Sequence, residues 1–124
     1  MAKMLFEEND GFDEEKCLNM YENSYDFYKL VLDSFHKDVV KTLDGMRKNF
    51  EAKDIENYRI LVHGMKGAGG SAGAKRLVEL ATKSNALIKD GNWDEACTIH
   101  EDIINELERI KTLIPERIAA FDNQ

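Results

Sequence analysis

A chain of 124 residues has room for a single core, and 43% hydrophobic with 33% charged residues and one proline excludes a disordered or membrane-embedded chain. A formal charge of −7 argues against nucleic-acid binding, which leans on a basic surface. The charge is unevenly spread: from Arg59 to Lys89 six bases face one acid, Glu79, a net of +5 within the −7 total.

No apolar run approaches the roughly 18 residues that span a bilayer. The opening run to Phe6 meets Glu7 and Glu8 too soon for a signal-peptide core, so a cytoplasmic location is expected. Cys17 and Cys97 lie far apart in sequence and read as small buried hydrophobes in a reducing compartment.

Apolar residues recur at spacings of three and four, with no repeat and no useful strand alternation, so the expected fold is all-α. After an N-terminal extension over 1–12, Asp13 caps a short helix through Cys17 and Leu18 to about Tyr21. Ser24 caps a long second helix with the stripe Phe27, Val31, Phe35, Val39, Leu43, Met46 and Phe50. Asp54 opens a third, with Tyr58, Leu61, Val62, Met65, Ala68 and Ala72 inward, ending at Gly73. The fourth buries Leu77, Leu80, Ala81, Ser84, Leu87 and Ile88 before the Asp90-Gly91 turn. Asn92 and Glu95 suggest a capping box for a fifth, whose stripe runs from Trp93 through Ala96, His100, Ile103, Leu107 and Ile110 to Ile114. Pro115 is expected to kink or end that helix, leaving 115–124 as a tail or helix extension. Short connections make the four long helices antiparallel neighbours: an up-down four-helix bundle over 13–114, with the short first helix as a cap.

With Leu61 inward, a step of 100° per residue puts Arg59, His63, Lys66, Gly67 and Gly70 on the outer face of the third helix. Arg59 at i−4 and Lys66 at i+3 place cations within reach of an anion on the His63 ring. Gly64, Gly67, Gly69 and Gly70 each cost a helix roughly 1 kcal/mol relative to alanine. Gly64 and Gly69 are assigned to close helix packing, and the outward Gly67 and Gly70 to clearing an approach to the ring.

A free imidazole titrates near 6.5, so its neutral form is a competent nucleophile at neutral pH, and attack on an acyl phosphate yields a phosphoramidate. Such transfer asks for in-line positioning and for cations that balance the phosphoryl charge. The sequence has no Walker-type loop and no magnesium-binding carboxylate cluster near His63, so the chain reads as a carrier rather than an enzyme, with the donor and its metal supplied by a partner. His36 and His100 read as structural histidines, and Cys97-x-x-His100 lacks a second pair of ligands, so no metal site is assigned. Lys75, Arg76, Lys83 and Lys89 are either a solvated face or a docking patch for an acidic partner.

The run His63-Gly64-Met65-Lys66-Gly67-Ala68-Gly69-Gly70-Ser71-Ala72-Gly73 resembles the histidine-containing phosphotransfer (HPt) family of phosphorelays through its H-x-x-K-G pattern, and the likeness extends loosely over residues 13–111. The resemblance implies that His63 takes a phosphoryl group from a receiver-domain aspartate and passes it to another, with Lys66 easing the phosphate charge and Gly67 making room. The partners implied are the receiver domain of a hybrid sensor kinase, a response regulator, or both. The chain would need no cofactor of its own, the receiver would hold Mg2+, and a monomer suits a carrier that meets two partners in turn. Gly64 stands where the family often has a small hydroxyl residue and Ala68 where it often has serine; neither change removes the nucleophile. A phosphorylation-independent docking module, the excised phosphate-accepting domain of a chemotaxis-type kinase and a metal-binding bundle are the competing readings.

Overall fold

The computed structural model describes residues 3–124. A 3-10 turn at Glu8–Asp10 precedes α1 (Glu14–Met20), α2 (Tyr25–Glu51), α3 (Ile55–Ala72), α4 (Lys75–Lys89), α5 (Trp93–Cys97) and α6 (His100–Asp122). The four long helices close a square, α2 on α3, α3 on α4, α4 on α6 and α6 on α2, giving the expected four-helix bundle. Among the described residues no helix is long and apolar enough to cross a membrane.

The first three helices start where short-range chemistry says they should. Asp13 accepts from the Lys16 N–H (3.2 Å), Ser24 Oγ from Phe27 N–H (3.1 Å), and Asp54 from Asn57 N–H (3.3 Å). Each such cap contributes about 1 kcal/mol. α3 stops at Gly73, whose φ of 82° is the left-handed conformation that a side chain resists. The core rows converge on Tyr28, Leu32, Met46, Tyr58, Leu77 and Ile103, all essentially inaccessible.

Phe27, expected inside α2, is 49% exposed, and Tyr28 and Leu32 take the inner row instead. The stripe is wide enough at this end for either row to face inward. Tyr28 wins because its hydroxyl donates to Ala72 O (2.7 Å), a carbonyl of the last α3 turn that lacks a partner within the helix.

The fifth helix is in fact two. α5 ends at Cys97, Thr98 Oγ1 donates to Glu95 O (2.6 Å), and α6 restarts at His100. Asn92 sits at the N-cap of α5 but makes no side-chain cap, so the capping box is absent. The apolar stripe continues across the break, which is why periodicity alone does not reveal it.

α6 then runs through Pro115 to Asp122. Proline removes the N–H that the carbonyl four residues back would accept. That carbonyl, Lys111 O, lies 2.9 Å from His36 Nε2; since a carbonyl only accepts, this nitrogen carries the proton. A side chain from α2 therefore supplies the missing bond.

Residues 3–12 pack onto the bundle. Leu5, Phe6 and Phe12 are buried, with the Phe6 and Phe12 rings stacked at 4.0 Å. The Glu14 carboxylate accepts from the N–H groups of Leu5 (2.7 Å) and Phe6 (2.8 Å) and from the Tyr25 hydroxyl. Arg117 binds Asp10 (2.8 Å) and Glu7 (2.7 Å). Burial pushes the Asp10 carboxyl up, but hydrogen bonds from Arg117 and from the Glu7 backbone, with the charges of Arg117 and Arg109, hold it below the usual carboxylate range.

His100 lies buried in the core, its ring stacked on Phe50 at 3.7 Å and its Nδ1 2.7 Å from the Tyr58 hydroxyl. Burial lowers its pKa, with the Arg47 charge acting in the same sense and Glu101 opposing. The unfolded chain therefore binds the His100 proton more readily than the folded one, and this contribution to stability is present above about pH 6.5 and is lost as pH falls through the depressed folded value. Thermal melts at pH 7.5 and 5.5 should show a larger acid loss for the native protein than for His100→Phe, which keeps the ring and removes the proton. Equal losses in the two proteins would rule this out.

Candidate functional site

The inner row of α3 is Tyr58, Val62, Met65, Gly69 and Ala72, which turns His63, Gly67 and Gly70 outward and leaves Lys66 half-buried at the flank. His63 makes no hydrogen bond within the described residues, so its ring is free to react. The glycines divide differently from expectation. Alanine at Gly69 would bring its Cβ to 3.1 Å from Val78 Cγ2, a close-packing role as expected. Gly64, also expected to pack, has nothing within 4 Å of such a Cβ and is exposed, as are Gly67 and Gly70.

His63 borders a shallow cleft of about 460 Å³. From α3 come His63, Lys66, Gly67, Gly70 and Ser71; from the other wall come Lys16, Met20 and Tyr21. Among the described residues, no carboxylate lines it. The α1 wall escapes a reading of the sequence because α1 lies some fifty residues away and its placement depends on bonds to the end of α3. Asp13 N–H donates to Gly73 O (2.7 Å), and the Tyr21 hydroxyl to Ser71 O (2.6 Å).

The Hpt domain family model matches residues 30–113, more than half of the chain. The chain belongs to the Hpt domain family. It is 27% identical over 111 residues to histidine-containing phosphotransfer protein 2 of Arabidopsis thaliana, covering 87% of this chain and 70% of that protein. To the phosphorelay intermediate protein rdeA of Dictyostelium discoideum it is 23% identical over 105 residues; that covers 85% of this chain but only 41% of the relative. The crystal structure of histidine-containing phosphotransfer protein B (HptB) from Pseudomonas aeruginosa PAO1 shares the fold at a TM-score of 0.75 and 23% identity, over 88% of this chain and 96% of that one.

The other candidate residues of this Hpt domain disperse. Arg59 is half-buried and does not line the cleft. Lys75 lines an adjoining hollow of about 220 Å³ that shares Lys16 and Gly70 with the first. Arg76 turns away from His63: its Nη2 donates to Asn9 O (3.3 Å), and its Nη1 lies 4.0 Å from the buried Glu106. Among the described residues, no group of three or more His, Cys, Asp or Glu side chains is placed to hold a metal ion.

Gly67 allows a direct test of access. A side chain there meets open space in the free protein and relieves the helix of a glycine, so Gly67→Gln should match or slightly exceed the native urea midpoint. It would stand in the path of any protein approaching His63. Phosphoryl uptake from a receiver should fall at least about tenfold, the equivalent of about 1.4 kcal/mol. A folded Gly67→Gln protein that accepts phosphate at the native rate would show that the approach lies elsewhere.

Proposed function

We propose that this protein is a phosphorelay carrier in which His63 accepts a phosphoryl group from a receiver-domain aspartyl phosphate and delivers it to a second receiver's aspartate. The observation that carries the reading is an exposed histidine in an open cleft that holds lysines and no carboxylate. The names borne by the Arabidopsis and Dictyostelium relatives support it.

In the first half-reaction a ring nitrogen of neutral His63 attacks phosphorus in line. The N–P bond forms as the anhydride P–O bond breaks, and the aspartate leaves as carboxylate. The ring becomes a phosphoimidazolium that sheds its N–H proton to solvent; the second half-reaction reverses these changes on another aspartate. The moving phosphoryl group carries its charge on three equatorial oxygens outside this protein's core, and Lys66 at the cleft wall offsets part of it. Mg2+ belongs to the receiver in this scheme, since the carboxylates that hold such an ion are absent from the cleft lining. The carrier acts as a monomer that presents one face to each partner in turn, a receiver of a hybrid sensor kinase and that of a response regulator.

The test is transfer from a 32P-labelled receiver. Label should move to this protein, be lost in acid and survive base, as a phosphoramidate does. Transfer from no receiver of the same organism, or label that survives acid, would overturn the proposal.

A further inference from the structure

The cleft holds a cation that the family pattern around His63 does not include. Lys16, on α1, lines the His63 cleft and two hollows beside it, including the one that Lys75 borders. We infer that Lys16 is a second phosphate-binding cation, which with Lys66 balances the phosphoryl group carried on His63. The inference rests on the carrier reading above, and deepens it.

The helical register of α1 carries the argument. Asp13, Cys17 and Tyr21, spaced by four, form the row that grips α3. The Asp13 N–H bonds Gly73 O at 2.7 Å, the Cys17 thiol lies 3.7 Å from Ser71 O, and the Tyr21 hydroxyl donates to Ser71 O at 2.6 Å. With that row fixed, Lys16 and Met20 fall on the flank one position earlier, and both line the cleft beside His63. Several bonds to one helix end thus set where Lys16 stands, although its own side chain is exposed.

Electrostatics agrees with the placement. Among the described residues neither Lys16 nor Lys66 forms an ion pair within 4 Å, whereas Lys29, Lys37 and Lys48 each do. A phosphoryl group on His63 brings about two negative charges into a cleft with no carboxylate in its lining. A nearby cation favours the dianion over the monoanion and so lowers the second pKa of that group.

The experiment phosphorylates the full chain with phosphoramidate, a donor small enough to need no docking. Ammonia leaves as the N–P bond to His63 forms. The phosphoryl group is then titrated by 31P NMR. Lys16→Gln should raise its pKa, Lys16→Arg should leave it at the native value, and Lys16→Gln with Lys66→Gln should raise it further than either alone. Initial uptake from phosphoramidate should fall about threefold in Lys16→Gln, the scale of an exposed charge pair, and the loss should shrink in high salt. A purely structural role for Lys16 would move neither the titration nor its salt dependence. Native titration and rate in Lys16→Gln, with Lys66→Gln altered, would overturn this inference alone. A wild-type protein that carries no phosphate on His63 would overturn it together with the carrier reading.

Discussion

His63→Gln should take up no phosphoryl label above background, at least about a thousandfold below the native initial rate, because it removes the proposed nucleophile itself rather than a group that assists it. The fold should not change. His63 is exposed and has no hydrogen-bond partner among the described residues, and glutamine is neutral, polar and a good helix former. Receiver binding, measured by calorimetry, should stay within about twofold of native, since Gly67 and Gly70 still leave the face open. Loss of label with retained binding separates the carrier from a docking module. A module that regulates by contact alone would keep its effect on the partner in this variant, and label on His63→Gln would move the acceptor to another residue. Lys66→Gln should be milder, because the role proposed for Lys66 is to offset charge without forming a bond.

Gly73→Ala should cost about 3 kcal/mol or more in urea unfolding, a large part of the roughly 5–15 kcal/mol available to a domain. Two causes add. At φ 82° an L side chain is disfavoured by about 1–2 kcal/mol. Its Cβ would also lie 2.7 Å from Cys17 Sγ and 2.9 Å from Asp13 O, and the second is backbone that cannot rotate away. Relief requires α1 to move off the end of α3, which carries Lys16 and Tyr21 away from His63. Stability and phosphoryl uptake should therefore fall together in Gly73→Ala, whereas Gly67→Gln lowers uptake alone. A Gly73→Ala protein within about 1 kcal/mol of native would mean that α1 is not seated as described.

Features governed by a few neighbouring residues were legible in the chain. The caps at Asp13, Ser24 and Asp54 and the stop at Gly73 each depend on bonds or backbone angles within a turn, so composition and spacing were enough. The outward turn of His63 followed from the helical period once an inner row was chosen. The inward partners were harder to place. Phe27 and Tyr28 are equally apolar candidates, and the choice between them turned on the Ala72 carbonyl, 44 residues away. Gly64 departs from its expected packing role for a related reason: its step along α3 leaves it close to the inner row, and only the positions of the neighbouring helices show that nothing packs there.

Pro115 shows the same division more sharply. A local rule expects the helix to suffer there, because proline strips Lys111 O of its donor. The rule is sound, but His36 fills the vacancy from another helix, and Arg117 and the buried Phe121 hold the continuation in place. Arg76 is drawn towards Asn9 and Glu106 by residues that the run around His63 does not contain.

The amino-acid sequence by itself determined that the chain is helical, where its first helices begin, and that His63 is displayed with Lys66 on one side and glycines around it. These are consequences of the helical period and of bonds closed within one turn. Tertiary structure alone decided that Tyr28 rather than Phe27 faces the core at the start of α2, that the last helix survives its proline, and that α1 adds Lys16, Met20 and Tyr21 to the His63 cleft. Each of those depends on groups brought together from distant parts of the chain, where neither spacing nor propensity carries information about which surfaces will meet.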